Sequence, residues 1–335
     1  MPEITLPQKI IFGDNSMIKY ADQCNFESVL IISDGGIPEN LGLINEFCDS
    51  ISKHIPIVKY ITESNFEKLI DDATKTISND ETDRIIAIGS ATLIDCAALL
   101  SYQCGVKFSA IPYLSACAAT DFSEANYAVY RKMPTEVVLD PNFASFMPSA
   151  AIAYDSFSCF AYAVDSLLYG NNQNASPALT SAADILNNSV GAYRGNRKLI
   201  QKLQYSMYTS VLTFYNTFSA STPLKDITSF FSLLGVSSQV SAAICIPEIM
   251  DYYRSELPPE LCKAVGLYRS GESFTDSIDR LIARVRSVQA SLGIPRNIHA
   301  ICTDTEIYKA FCENSHVPGE LLDLCYNGSF RFMKL

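Results

Sequence analysis

Two grammars of apolar spacing run along this 335-residue chain. Residues 1 to about 146 alternate short β-branched runs with helical stretches. Val29–Ser33 is a compact apolar run ending at Asp34-Gly35-Gly36, the pattern of a buried strand that closes in a turn. Pro56–Ile61 has strand character, and Phe66–Ser78 follows with helical spacing. Arg84–Ile88 predicts a second buried strand, followed by Gly89 and the helical run Leu93–Leu100. Phe108–Pro112 and Glu136–Leu139 supply further short strands. Strand and helix alternating in this way imply right-handed βαβ units and a mostly parallel, doubly wound sheet of Rossmann-like type.

After Asp140-Pro141 the pattern changes. Pro148–Tyr169, Ser176–Tyr193, Arg197–Phe218, Val236–Tyr253, Phe274–Leu292 and Asp304–Cys312 all carry apolar residues at helical spacing, and convincing strands are absent. Pro177, Pro223, Pro247, Pro258-Pro259 and Pro295 mark starts, kinks or breaks. The expected organisation is an α/β domain over residues 1–145 and an all-helical domain over residues 146–335, with no internal repeat or low-complexity tract.

Composition narrows the class. Forty-eight per cent hydrophobic residues are enough for a large core. Twenty-five basic against 36 acidic side chains give a net charge of −11, which argues against a nucleic-acid partner. Eleven cysteines are scattered without paired spacing, the usage of buried, reduced thiols rather than a disulfide framework. No signal-peptide pattern opens the chain and no apolar run is long enough to span a membrane, so the expectation is a cytoplasmic protein.

Two strand ends carry residues capable of chemistry. In doubly wound sheets, ligands bind where strand carboxyl ends meet helix N-termini. Asp34 follows one strand and could accept hydrogen bonds from a ribose diol; it reads equally as a turn-forming aspartate before two glycines. Gly89-Ser90-Ala91-Thr92 follows the next strong strand and opens a helix, with Asp95 one turn in. Small residues there let a pyrophosphate approach the backbone. In contrast, His54, His299 and His316 are the only histidines. None falls between 54 and 299, which excludes imidazole ligands and histidine proton relays from the centre of the chain.

Ile86–Ala97 (Ile-Ala-Ile-Gly-Ser-Ala-Thr-Leu-Ile-Asp-Cys-Ala) resembles the Gly-Gly-Gly-Ser-x-x-Asp-x-Ala cofactor loop of the iron-containing alcohol dehydrogenases, within the dehydroquinate synthase-like superfamily. Pro7–Gly13 resembles that family's opening strand, and Leu30–Gly35 its second nucleotide strand, with Asp34 in the ribose-contacting position. Ile111-Pro112, Ser123-Glu124, Val138–Pro141 and Ala243–Pro247 continue the similarity in family order. The resemblance implies the dehydroquinate synthase-like fold, a small-molecule ligand in an interdomain cleft, and a homo-oligomer.

It also implies a divalent metal held by an Asp and three His of the helical domain, polarising the substrate oxygen while a nicotinamide exchanges a hydride. Aligned on Ser158–Asp165 and on Pro247, the four ligand positions hold Ser158, Tyr162, Leu224 and Ser238, and a neighbouring histidine position holds Thr228. The expectation is therefore a divergent member without the metal. Asp155, Asp165 and Asp226 leave a carboxylate-only magnesium site as an alternative. The cofactor side is also altered: the triple glycine has become Gly89-Ser90-Ala91, and Tyr113-Leu114 replaces the Thr-Thr that borders the adenine. Weakened NAD(P) binding follows, with Asp34 favouring NAD. Two functions compete. One is a metal-independent oxidoreductase-like or lyase-like enzyme using Tyr162, Ser158, Lys225 and Ser238, with Tyr162 and a nearby lysine as proton donor. The other is a non-catalytic pseudoenzyme with a binding or regulatory role.

Overall fold

The run Arg84–Gly89 lies inside a six-stranded sheet in the computed structural model, which describes residues 7–35, 41–114, 133–170, 172–215, 222–303, 308 and 317–328. The chain divides into two compact units, residues 3–148 and 149–335.

The first unit contains β1 (Lys9–Phe12), α1 (Ser16–Gln23), β2 (Ser28–Ser33), α2 (Leu41–Ile51), β3 (Ile57–Thr62), α3 (Phe66–Asp80), β4 (Arg84–Gly89), α4 (Ala91–Cys104), β5 (Lys107–Pro112), β6 (Glu136–Leu139) and the short α5 (Pro141–Ala144). The strand order is β1-β6-β5-β4-β2-β3, and every neighbouring pair is parallel. Burial follows this order. Ile85–Ile88 of β4 and Leu30–Ile32 of β2 are fully buried, as central parallel strands covered on both faces must be. The edge strands β1 and β3 are largely exposed.

From β2 the chain crosses to the β3 edge, whereas from β4 it crosses the other way to β5. The strand order thus reverses between β2 and β4, and a crevice opens outside the carboxyl ends of strands at such a point. Asp34 follows β2, and Ser90 follows β4.

Two helices of this unit, α1 and α2, stand where the apolar pattern gave no separate prediction. The start of α1 is fixed from far along the chain. Buried Asp140 accepts from the Met17 amide (3.0 Å) and from the Asn142 amide (2.9 Å), so one carboxylate caps both α1 and α5.

Within the described residues the second unit is helical: α6 (Ser149–Tyr169), α7 (Asn172–Tyr193), α8 (Arg197–Tyr215), α9 (Pro223–Ser232), α10 (Ser238–Tyr252), α11 (Pro259–Ala264), α12 (Phe274–Ser291), a 3-10 turn (Ile298–Ala300) and α13 (Gly319–Asn327). Pro223 and Pro259 stand in first turns, where proline's missing N–H forfeits nothing. Pro177 and Pro247 lie inside α7 and α10, and neither ends its helix. Apart from Tyr308, the helix expected over Asp304–Cys312 lies outside the described residues, as does Ser123-Glu124. No helix among the described residues is long and apolar enough to cross a membrane.

Candidate functional site

The crevice at the carboxyl ends of β2, β4 and β5 brings together most of the residues expected to meet a cofactor. Gly89 ends β4, and Ser90 is the N-cap of α4, its hydroxyl accepting from the Leu93 amide at 3.4 Å. Ala91, Thr92 and Asp95 lie in the first turns of α4, all half-buried. In helix geometry the amides of Ala91 and Thr92 have no acceptor within α4, so this end of the helix presents orphan donors.

Asp34 is bonded directly to this helix start. Its Oδ2 accepts from the Ser90 amide at 2.9 Å, and its Oδ1 accepts from the Tyr113 hydroxyl at 3.0 Å. Tyr113 is buried against Phe143, with ring centroids 4.8 Å apart, and its amide donates to the Gly89 carbonyl at 3.0 Å. Since β4 lies between β2 and β5, the Tyr113–Asp34 bond bridges the end of β4. A Cβ on Gly89 would come within 2.7 Å of Asp34 Oδ1 and 2.8 Å of Leu93 Cδ2, so any other residue here would have to displace that carboxylate. One residue beside Asp34, Cys96, has its thiol pushed up to about 12 by burial, then by the carboxylates of Asp95 and Asp34.

Tyr113 is the member of this group that sequence reasoning read only as a lost threonine. Its signal was its length: a phenol one residue past β5 can reach across β4, as a threonine cannot.

In the helical unit, the residues expected at ligand positions are buried. Ser158 lies on α6, and its hydroxyl donates to the Asp155 carbonyl of its own helix at 2.9 Å. Tyr162, one turn on, stacks on Phe214 of α8, with ring centroids 4.5 Å apart. Leu224 is fully buried in the first turn of α9, and Ser238 is buried at the first position of α10. Thr228 donates its hydroxyl to the Lys225 carbonyl. Two bonds tie these helix starts to α6: Gln239 Nε2 donates to Asp155 Oδ1 at 2.8 Å, and the Leu224 amide to Asp165 Oδ1 at 3.4 Å. Ser158 and Tyr162 lie between those two ties.

Iron and zinc need imidazole, thiolate or carboxylate donors, and two serines, a phenol and a leucine do not fit them. The carboxylates do not assemble an alternative. Among the described residues, no group of three His, Cys, Asp or Glu side chains is placed to share a metal ion, so Asp155, Asp165 and Asp226 are not brought to one point. Asp165 instead serves α9. Its carboxyl is pushed up to about 7 by burial, against the opposing pull of the Thr222 hydroxyl, the Lys225 charge and the Leu224 amide. The Lys225 ammonium lies 5.1 Å from the centroid of the Phe214 ring, so Tyr162 and Lys225 meet the same aromatic ring. His299 is exposed, and its ring meets the buried Tyr326 hydroxyl at 3.3 Å, a packing role.

Comparison with known proteins agrees with the sheet topology. Residues 7–141 match the iron-containing alcohol dehydrogenase family. No curated protein matches the chain in sequence. Among solved structures, 1,3-propanediol oxidoreductase is 16% identical with a TM-score of 0.83, over 98% of this chain and 100% of that one. The alcohol dehydrogenase from Oenococcus oeni is 15% identical with a TM-score of 0.83, over 97% and 100%. Sulfoacetaldehyde reductase from Bifidobacterium kashiwanohense, solved in complex with NAD+, is 13% identical with a TM-score of 0.77, over 98% and 99%. Through residues 7–141 this chain carries the sequence pattern of the iron-containing alcohol dehydrogenase family, and through nearly its whole length it has that family's fold.

Proposed function

We propose that this protein is a metal-free, nucleotide-binding descendant of the iron-containing alcohol dehydrogenases that no longer performs the metal-assisted hydride step. The observation that carries this reading is the state of the four ligand positions. Ser158, Tyr162, Leu224 and Ser238 are all buried, Ser158 is bonded to its own helix, and Tyr162 is stacked on Phe214. A side chain packed in this way fills the volume of a ligand set without replacing its chemistry.

The nucleotide part of the reading is supported by the reversal of strand order between β2 and β4, the small residues Ser90 and Ala91, and the orphan amides of Ala91 and Thr92. A nicotinamide dinucleotide bound there would supply or accept a hydride. Asp34 would face the adenine ribose, and its carboxylate disfavours a 2′-phosphate, so NADH is the preferred form over NADPH. Every cysteine among the described residues is a free thiol, which supports a reducing, cytoplasmic setting.

The test is a fluorescence titration of the full chain with NADH and NADPH, run beside an assay of alcohol-dependent NAD+ reduction with added Fe2+ or Zn2+. The reading expects saturable NADH binding, tighter than NADPH, and no metal-stimulated turnover. Stimulation by either metal contradicts it, as does failure to bind either nucleotide.

One observation favours a second reading, a metal-independent enzyme. Tyr162 and Lys225 both pack on Phe214, which brings a phenol and an ammonium, two groups able to donate a proton, to one ring. In that reading Tyr162→Phe abolishes turnover of a carbonyl substrate. In the non-catalytic reading the same variant leaves every cellular and binding property intact.

A further inference from the structure

The hydrogen bond between Tyr113 and Asp34 has a position that its energy alone does not explain. Asp34 follows β2, Tyr113 follows β5, and β4 runs between them, so the bond passes over the end of β4. Beneath it lies Gly89, whose Cα has the Asp34 carboxylate on one side at a distance that would not admit a methyl group. The Ser90 amide, the donor at the mouth of α4, is taken by the other oxygen of the same carboxylate. The bond is held at both ends. Tyr113 is anchored by its ring on Phe143 and by its amide on the Gly89 carbonyl, while Asp34 is anchored by the Ser90 amide.

We propose that Tyr113 and Asp34 form a strap across the carboxyl end of β4, which a nucleotide must open to reach Gly89 and the first turn of α4. This rests on the nucleotide-binding reading above and adds a positioning role for Tyr113. A phosphate that approaches the Gly89 backbone and the Ser90 amide competes with a carboxylate already there, and two anions do not share one donor. Opening requires Asp34 to leave the Tyr113 hydroxyl. A ribose diol then offers Asp34 new donors in compensation, so the strap opens for a ligand with a diol next to its phosphate. Inorganic phosphate lacks the diol and does not open it. The strap accordingly lowers affinity for every nucleotide and raises the selectivity for nucleotides over simple anions.

The experiment compares the full-length wild type with Tyr113→Phe by titration with NADH, and with pyrophosphate in competition. Tyr113→Phe keeps the ring on Phe143 and removes only the hydroxyl; Tyr113→Leu is the second variant, and thermal unfolding establishes that each is folded. The expected result is NADH binding about tenfold tighter in Tyr113→Phe, the order for a bond to a charged group that no longer has to be broken. Pyrophosphate should compete measurably in both variants and not in the wild type. If the wild type binds NADH and both folded variants bind it equally or more weakly, the strap is overturned while the nucleotide reading stands. If no form binds NADH, both are overturned. If only the variants bind, the strap is supported in its strongest form, as a closed gate.

Discussion

Asp165 is a buried carboxyl that serves the start of a neighbouring helix. Its carboxyl is buried, accepts from the first turn of α9, and is pushed up to about 7 chiefly by desolvation. Between roughly pH 4 and pH 7 it is protonated in the folded chain, while the unfolded chain's Asp is ionised. The unfolded state therefore binds fewer protons in that window, and stability falls as pH rises through it, levelling off above 7. The raised value corresponds to about 4 kcal/mol between the two plateaus. Asp165→Asn keeps a carbonyl for the Leu224 amide and removes the charge. It is expected to be more stable than wild type at pH 8 by a few kcal/mol, with the difference shrinking toward pH 4 in urea unfolding. An equal effect at both pH values would show that the carboxyl is ionised in the folded chain. Tyr162 offers the companion test. Tyr162→Ala empties a packed position against Phe214 and should cost about 3–5 kcal/mol, while Tyr162→Phe should cost about 1 kcal/mol in thermal or chemical unfolding.

Among the elements, Asp140 is the residue on which two helix starts depend. It receives the amides of Met17 and Asn142, and Ser16 Oγ donates to the Leu139 carbonyl beside it. Asp140→Ala leaves both amides without an acceptor and should destabilise the first unit by about 3 kcal/mol. Hydrogen exchange should find the new opening in α1 and α5; protection unchanged in α1 would refute the double cap. The sequence made some elements legible and hid others for physical reasons. Ile85–Ile88 announces a central strand because burial on both faces leaves no polar position, and Gly89-Ser90 announces the turn after it. By contrast, α9 is only ten residues long. Its start was marked by Thr222, whose hydroxyl accepts from the Lys225 amide, and by Pro223 at the first position. Those capping signals were present in the sequence, but Pro223 was read only as one of several starts, kinks or breaks, and no helix was placed after it. The role of Tyr113 was hidden for a different reason. Its partner Asp34 lies 79 residues away and meets it only because β4 inserts between β2 and β5.

For the whole chain, we propose that fold and metal chemistry have separated. The sheet order, the helical second unit and the agreement with solved structures at TM-scores up to 0.83 all belong to the iron-containing alcohol dehydrogenase architecture. Ser158, Tyr162, Leu224 and Ser238 belong to a packed core. No histidine lies between His54 and His299, and Ser158, Tyr162, Leu224 and Ser238 are buried; the metal-free reading rests on these two observations. The most direct test is the metal content of the full chain after anaerobic incubation with excess Fe2+ or Zn2+ and exhaustive dialysis. The account predicts far less than one ion of either metal per chain. One tightly held ion per chain would contradict it.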